Sequence, residues 1–277
     1  MSPVPFTSFS AIQSNQPVKA SGISQTVSAT TLGFNNVTST TVNAVDTANS
    51  SAGFTYTLLP TTPQMTAFSF SAPTSSAGWS VVDCATLAPL CTASSASTSG
   101  VVANALDPAL NWNYQSFGYW LVTLSSTNTI AGAMSFGSPT PGAGVPVAGN
   151  ATYSGLSGGI YVDPSGNVFT HGAAMTSIVD FGARTIAFST TATQVTPVTV
   201  GAVAPVGSTL NLTGSFSYVG GSSQFSGSVT APAFPAGSTG TATGQFYGPT
   251  AQELGGVFSL KAPSGPQTML GGFGGKQ

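Results

Sequence analysis

The sequence predicts an all-β protein, and three observations carry that expectation. No window shows sustained i, i+3, i+4 apolar spacing among helix-forming residues. Short runs rich in Val, Thr, Tyr and Phe recur along the whole chain, broken by Gly, Pro, Asn and Ser. Hydrophobic residues make up 41% of the 277 positions, enough for a core, while charged residues make up only 4%. The chain therefore reads as many antiparallel strands joined by tight turns.

Taken in order, the N-terminal strands are expected at "GFTYTLLP" (53–60), "MTAFSFSAP" (65–73), "YWLVTLSS" (119–126) and "IAGAMSFGS" (130–138). The stretch "SPTPGAGVPVAG" (138–149) is the richest in Pro and Gly and holds no strand-length apolar run. It reads as a linker, dividing the chain into domains at 1–140 and 141–277. Beyond it follow "GNATYSG", "GIYVDPSGNVFT", "AMTSIVDF", "RTIAFSTTA", "STLNLTGSFSYVG" and "SQFSGSVTAP". "TATGQFYG" and "GVFSLKA" read as the last two strands. "DPSG" at 163–166 is a hairpin signal: Asp opens the turn, Pro presets the second position and Gly ends it. "VGGSS" at 219–223 is another. The terminal "LGGFGGKQ" reads as a flexible secretion tail or an unstructured end.

Composition limits the partners. With Lys19, Arg184, Lys261 and Lys276 as the permanent cations and a net charge of -2, no phosphate-binding patch can be assembled. Nucleic acid and anionic lipid head groups are therefore not expected as partners. No apolar run is long enough to span a bilayer, so membrane insertion is not expected either. A surface solvated by hydroxyls and amides suits an extracellular protein, or a subunit packed against its own copies. Cys84 and Cys91, in "DCATLAPLC", read as a local disulfide and so as a mark of an oxidising location. The N-terminal "MSPVPFTSFSAIQSN" lacks a basic, apolar or cysteine-bearing leader.

Catalysis is not expected. The six carboxylates, Asp46, Asp83, Asp107, Asp163, Asp180 and Glu253, show no paired acid–base spacing, and no nucleophile elbow, phosphate loop or zinc helix occurs. Two features bear on binding. His171 is the one histidine, and on a strand Met175 shares its face, so the pair is a candidate for haem iron or a metal. The alternative is a strand-end imidazole with a satisfied hydrogen bond. "NWNYQSFGYW" (111–120) packs Trp112, Tyr114, Phe117, Tyr119 and Trp120 together. A strand from Tyr114 to Val122 sets Tyr114 and Trp120 on one side and Phe117, Tyr119 and Leu121 on the other, apolar on both faces, hence between layers. Gly118 admits a close backbone or a bulge. The segment is core, or else a pocket wall in which Trp112, Tyr114 and Tyr119 reach a ligand such as haem.

Three motifs then occur in order: "GVPVAGNATYSG" (144–155), "VDFGARTIAFS" (179–189) and "GQFYGPTAQELGGVFSL" (244–260). The third carries Phe246, Tyr247, Gly248, Pro249, Ala251, Glu253, Gly255, Gly256 and Phe258. Together they resemble the β-barrel domain of the transferrin-binding protein B family of Gram-negative bacteria, whose relatives include factor H-binding protein and hemophilin. The resemblance covers the C-terminal half. It implies an N-terminal β-rich handle-like domain followed by an eight-stranded antiparallel β-barrel, and no catalysis. It implies a secreted or cell-surface binding protein for haem or iron acquisition, with haem, an extracellular protein or an outer-membrane receptor as partner. The chain departs from its relatives in having no lipidated N-terminal cysteine and almost no charge, which favours a soluble secreted form. Low charge and bindable strand edges point to the alternative, a self-assembling structural or adhesive subunit. Within the third motif, Pro249 is expected to open a single helical turn and Gly255 to end it in the left-handed conformation. Glu253, the one glutamate, is expected to cap nearby backbone N–H groups or to pair with Arg184.

Overall fold

In a computed structural model, residues 2–32, 36–59 and 63–277 are described. Pro60, at the end of the "GFTYTLLP" run, lies outside the described residues. The strands are β1 (Val4–Pro5), β2 (Pro17–Thr31), β3 (Val37–Val42), β4 (Asp46–Thr57), β5 (Gln64–Ala72), β6 (Ser75–Trp79), β7 (Leu90–Ser94), β8 (Thr98–Ala103), β9 (Gln115–Ser125) and β10 (Asn128–Gly137). These form one sheet in the order β6-β5-β4-β2-β10-β9-β8-β7, with β1 and β3 paired to β2. The second set is β11 (Asn150–Val162), β12 (Val168–Asp180), β13 (Thr185–Pro197), β14 (Thr213–Ser217), β15 (Gln224–Thr230), β16 (Thr239–Tyr247), β17 (Glu253–Lys261) and β18 (Thr268–Lys276). It closes into an eight-stranded antiparallel barrel when β18 pairs with β11. Among the described residues no helix is long and apolar enough to cross a membrane.

The N-terminal sheet curls until its ends nearly meet. Trp79 of β6 lies over Gly100 of β8, where a Cβ would strike the indole. Asp83 and Thr92 exchange backbone hydrogen bonds of 2.9 and 2.7 Å, strapping the chain after β6 to edge strand β7. Phe54, Phe68, Phe70, Trp112, Trp120 and Phe136 fill the space inside. The barrel is filled the same way, by Tyr153, Phe169, Phe188, Phe216, Phe246, Phe258 and Phe273 among others, so its interior is core and not a channel. Both anticipated hairpins form: Gly166 donates to the Asp163 carbonyl at 3.0 Å, and Gly221 takes φ 78° between β14 and β15.

Two expectations need correction. The terminal "LGGFGGKQ" is not a tail: residues 268–276 are the strand that closes the barrel, buried along nearly its whole length. "TATGQFYG" and "GVFSLKA" are consequently β16 and β17, the last but two and last but one. Glycine serves β18 because both of its faces are crowded. Inward, a Cβ on Gly271 would lie 2.6 Å from the Phe258 ring. Outward, a Cβ on Gly272 would lie 3.0 Å from Phe117, and one on Gly274 would strike the Gln115 side chain. The stretch "SPTPGAGVPVAG" runs between β10 and β11 and is packed, with Thr140 N–H donating to the Phe246 carbonyl at 2.9 Å and its hydroxyl to the Gly248 carbonyl at 2.6 Å.

Candidate functional site: the domain junction

The N-terminal sheet lies against the barrel wall through β9 and β10, and the third motif lines that contact. Glu253 opens β17 and reaches across it. Its carboxylate accepts the backbone N–H groups of Asn113 (2.6 Å), Tyr114 (2.8 Å) and Gln115 (2.9 Å), just where the chain enters β9. These donors would otherwise be buried without partners, so the side chain satisfies them as a helix N-cap does. Glu253 is only 1% exposed. Burial pushes its pKa up, while the three N–H donors and Lys276 pull it back. Lys276 Nζ donates to the Asn111 carbonyl at 2.8 Å, and the Tyr247 hydroxyl meets Ser135 Oγ of β10 at 2.8 Å. Gly255 admits Ser135 Oγ and Gln115, while Gly256 turns inward beneath Phe273. The expected capping by Glu253 therefore occurs, but the capped groups are some 140 residues away in the other domain, and Arg184 lies instead over Gly220. The turn before Glu253 is not helical. Gly248 and Ala251 take the positive φ values, 84° and 59°, and Gly255 sits inside β17. Pro249 is in that turn, with its carbonyl against Gly144.

A cleft of about 430 Å³ opens beside this contact, between the loop holding Leu87–Leu90 and the outer face of β11–β13. A neighbouring cleft of about 200 Å³ shares Tyr119 and Thr170 with it. Cys84 and Cys91 are bonded, with Cα atoms 4.0 Å apart, and this closes the loop that roofs the cleft. Tyr119 lies across Gly158 of the barrel wall. Opposite, β13 carries a bulge: the run Thr191 to Gln194 faces Gly172 to Ala174, and Ala192 adopts φ 54°.

The five ligand candidates do not assemble. Trp112 is buried in the N-terminal core beside Phe117. Tyr114 precedes β9, does not share the Trp120 face, and packs over Gly248. Gly118 admits the Phe70 ring and the Val101 carbonyl, with no bulge there. Met175 does share the His171 face but is a barrel core residue whose sulfur accepts the Ser177 hydroxyl at 3.4 Å. His171 is turned into the barrel, toward Gly159 and with its ring 6.0 Å from Phe258. Neither ring nitrogen has a well-formed hydrogen bond. Burial lowers its pKa to about 4, with the nearby Leu270 backbone opposing weakly, so the imidazole is neutral. Tyr119 and His171 both line the larger cleft. Burial raises the Tyr119 pKa far above its ordinary value, which disfavours a tyrosinate, and no Lys or Arg lines either cleft to meet a propionate. The donor set does not fit a haem. Gln115, Ser135, Lys276 and Gln194 carried no sequence signal, because each is defined by what the other domain or a bulge brings to it.

Residues 145–277 match the family of C-lobe and N-lobe beta barrels of Tf-binding protein B. The closed barrel of the C-terminal half is thus similar to the barrels of transferrin-binding protein B. Similar solved structures include the transferrin-binding protein B double mutant from Haemophilus parasuis, 18% identical over 92% of this chain and 45% of that one, with TM-score 0.49. The Neisseria meningitidis protein is 16% identical over 92% and 44%, with TM-score 0.47. A surface lipoprotein is 14% identical over 92% and 98%, with TM-score 0.45. The chain spans less than half the length of the first of these. No curated protein matches it in sequence. In this barrel, Tyr247, Glu253 and Gly255 of the third motif are residues that fasten it to the N-terminal sheet.

Proposed function

We propose that the protein is a non-enzymatic binding protein of iron acquisition, acting at or outside the outer cell surface and engaging an iron-bearing extracellular protein. The observation that carries this reading is the match of the barrel at 145–277 to the C-lobe and N-lobe barrels of Tf-binding protein B, with Glu253 joining it to a second β domain. Recognition on a face so poor in charge rests on shape and short-range apolar contact, so affinity depends little on ionic strength. The test is capture of iron-loaded transferrin and of haemoglobin on the immobilised full chain, at low and high salt. Saturable binding of either, nearly unchanged by salt, supports the reading; absence of binding to both at micromolar concentration sinks it. A parallel haem titration is expected to give no Soret shift, since the donor set lacks an accessible ligand. Self-assembly into a fibre is the weaker reading, because the strap at Asp83–Thr92 and the indole of Trp79 cover the sheet edges that a neighbouring copy would extend.

A further inference from the structure

The junction cleft has features that the fold alone does not require. It lies between two domains and has the volume of a small-molecule site, about 430 Å³. Its walls are Leu87, Pro89, Leu90 and Leu156 with scattered Thr, Ser and Gln, and none of the described lining residues carries a charge once His171 is neutral. An anion placed there would lose hydration with no cation to replace it. Tyr119 is only 5% exposed, and among the described residues its hydroxyl makes no hydrogen bond. It stands where the two clefts meet. Ala192, which lines the larger cleft, is held in the left-handed region by the β13 bulge. Such strain in a non-glycine residue is kept where surrounding structure imposes it, and bulges of this kind re-aim side chains beside binding sites.

We propose that this cleft binds a small, uncharged, largely apolar molecule, oriented by a hydrogen bond from the Tyr119 hydroxyl to an oxygen or nitrogen of the ligand. The site is separate from the protein partner proposed above and stands or falls independently of it. Nile red is the probe: it is neutral, largely apolar and carries a carbonyl acceptor. Titrated into the full chain, it is expected to show a blue-shifted, saturable emission with one site per chain. Anilinonaphthalene sulfonate, apolar but anionic, is expected to bind at least about ten-fold more weakly. Tyr119→Phe removes only the hydroxyl and is expected to raise the Nile red Kd about three- to ten-fold. Ala174→Trp fills the cleft from an exposed position on the outer face of β12 and is expected to abolish saturation. Gln194→Trp is the parallel block from β13. The thermal unfolding midpoint of each block, unchanged from wild type, certifies its fold. Absence of saturable binding, equal affinity for the anionic dye, or wild-type affinity in both folded tryptophan variants would each overturn the proposal.

Discussion

A carboxylate that accepts three main-chain N–H bonds is not replaceable by its own amide. In Glu253→Gln one acceptor oxygen becomes an NH₂ group facing N–H donors, so either Asn113 or the Tyr114–Gln115 pair loses its partner. The expected loss is about 1–3 kcal/mol in urea unfolding, and more for Glu253→Ala. A wild-type midpoint in Glu253→Gln would show that the latch contributes nothing. His171 makes a different prediction at the same scale. Its folded pKa, near 4, lies below the ordinary value of 6.5 because burial penalises the charge. The unfolded chain therefore takes up a proton that the folded one refuses. Its contribution to stability is fully present above about pH 6.5 and is lost as pH falls toward 4, by roughly 3 kcal/mol in total. Glu253 has the opposite sign, since its pKa is raised, but its contribution is common to wild type and to His171→Phe. The difference in pH slope between those two proteins isolates the histidine. Both residues were conspicuous in the sequence as the one glutamate and the one histidine. That Glu253 caps backbone N–H groups was legible from its motif; which groups it caps, and where His171 points, was not, because both depend on neighbours supplied by distant strands.

Elements were read best where the pattern is local. The turns at 163–166 and 219–223 follow from Asp, Pro and Gly at fixed offsets, and the structure places both. The all-β character follows from strand-length runs in the same way. β18 was illegible for a physical reason: glycine has low intrinsic strand preference, and its presence here reflects close approach on two faces, which no local rule contains. Deleting residues 271–277 is accordingly expected to unfold the barrel, seen as loss of the cooperative transition in circular dichroism; a flexible tail would leave that transition unchanged. A milder change, Gly272→Leu, thrusts a side chain into Phe117 and is expected to cost about 1–3 kcal/mol and to separate the domains' unfolding into two steps. The Cys84–Cys91 loop, read from spacing alone, is present. Reducing it is expected to cost about 2.5 kcal/mol on the loop-entropy account, measured as a shift in urea midpoint with and without reductant.

At the scale of the molecule, the third motif pointed to the barrel from sequence but not to the partners of its own residues, because Tyr247 and Glu253 act on a domain that the motif does not contain. The aromatic segment 111–120 was placed correctly between two layers, and the second layer is the barrel wall. With the edges of the N-terminal sheet strapped and the barrel closed, the chain is expected to remain monomeric at high concentration; concentration-dependent oligomers in mass photometry would contradict that. The β11–β18 pairing has a consequence for how the protein comes into being. It joins Ser154 to Lys276, so the barrel stays an open ribbon until β18 has been synthesised. Nothing ahead of that moment can seal the ring, and a non-local closure of this span is intrinsically slow. The chain thus has a built-in interval in which seven strands of the ring are made and the ring is still open.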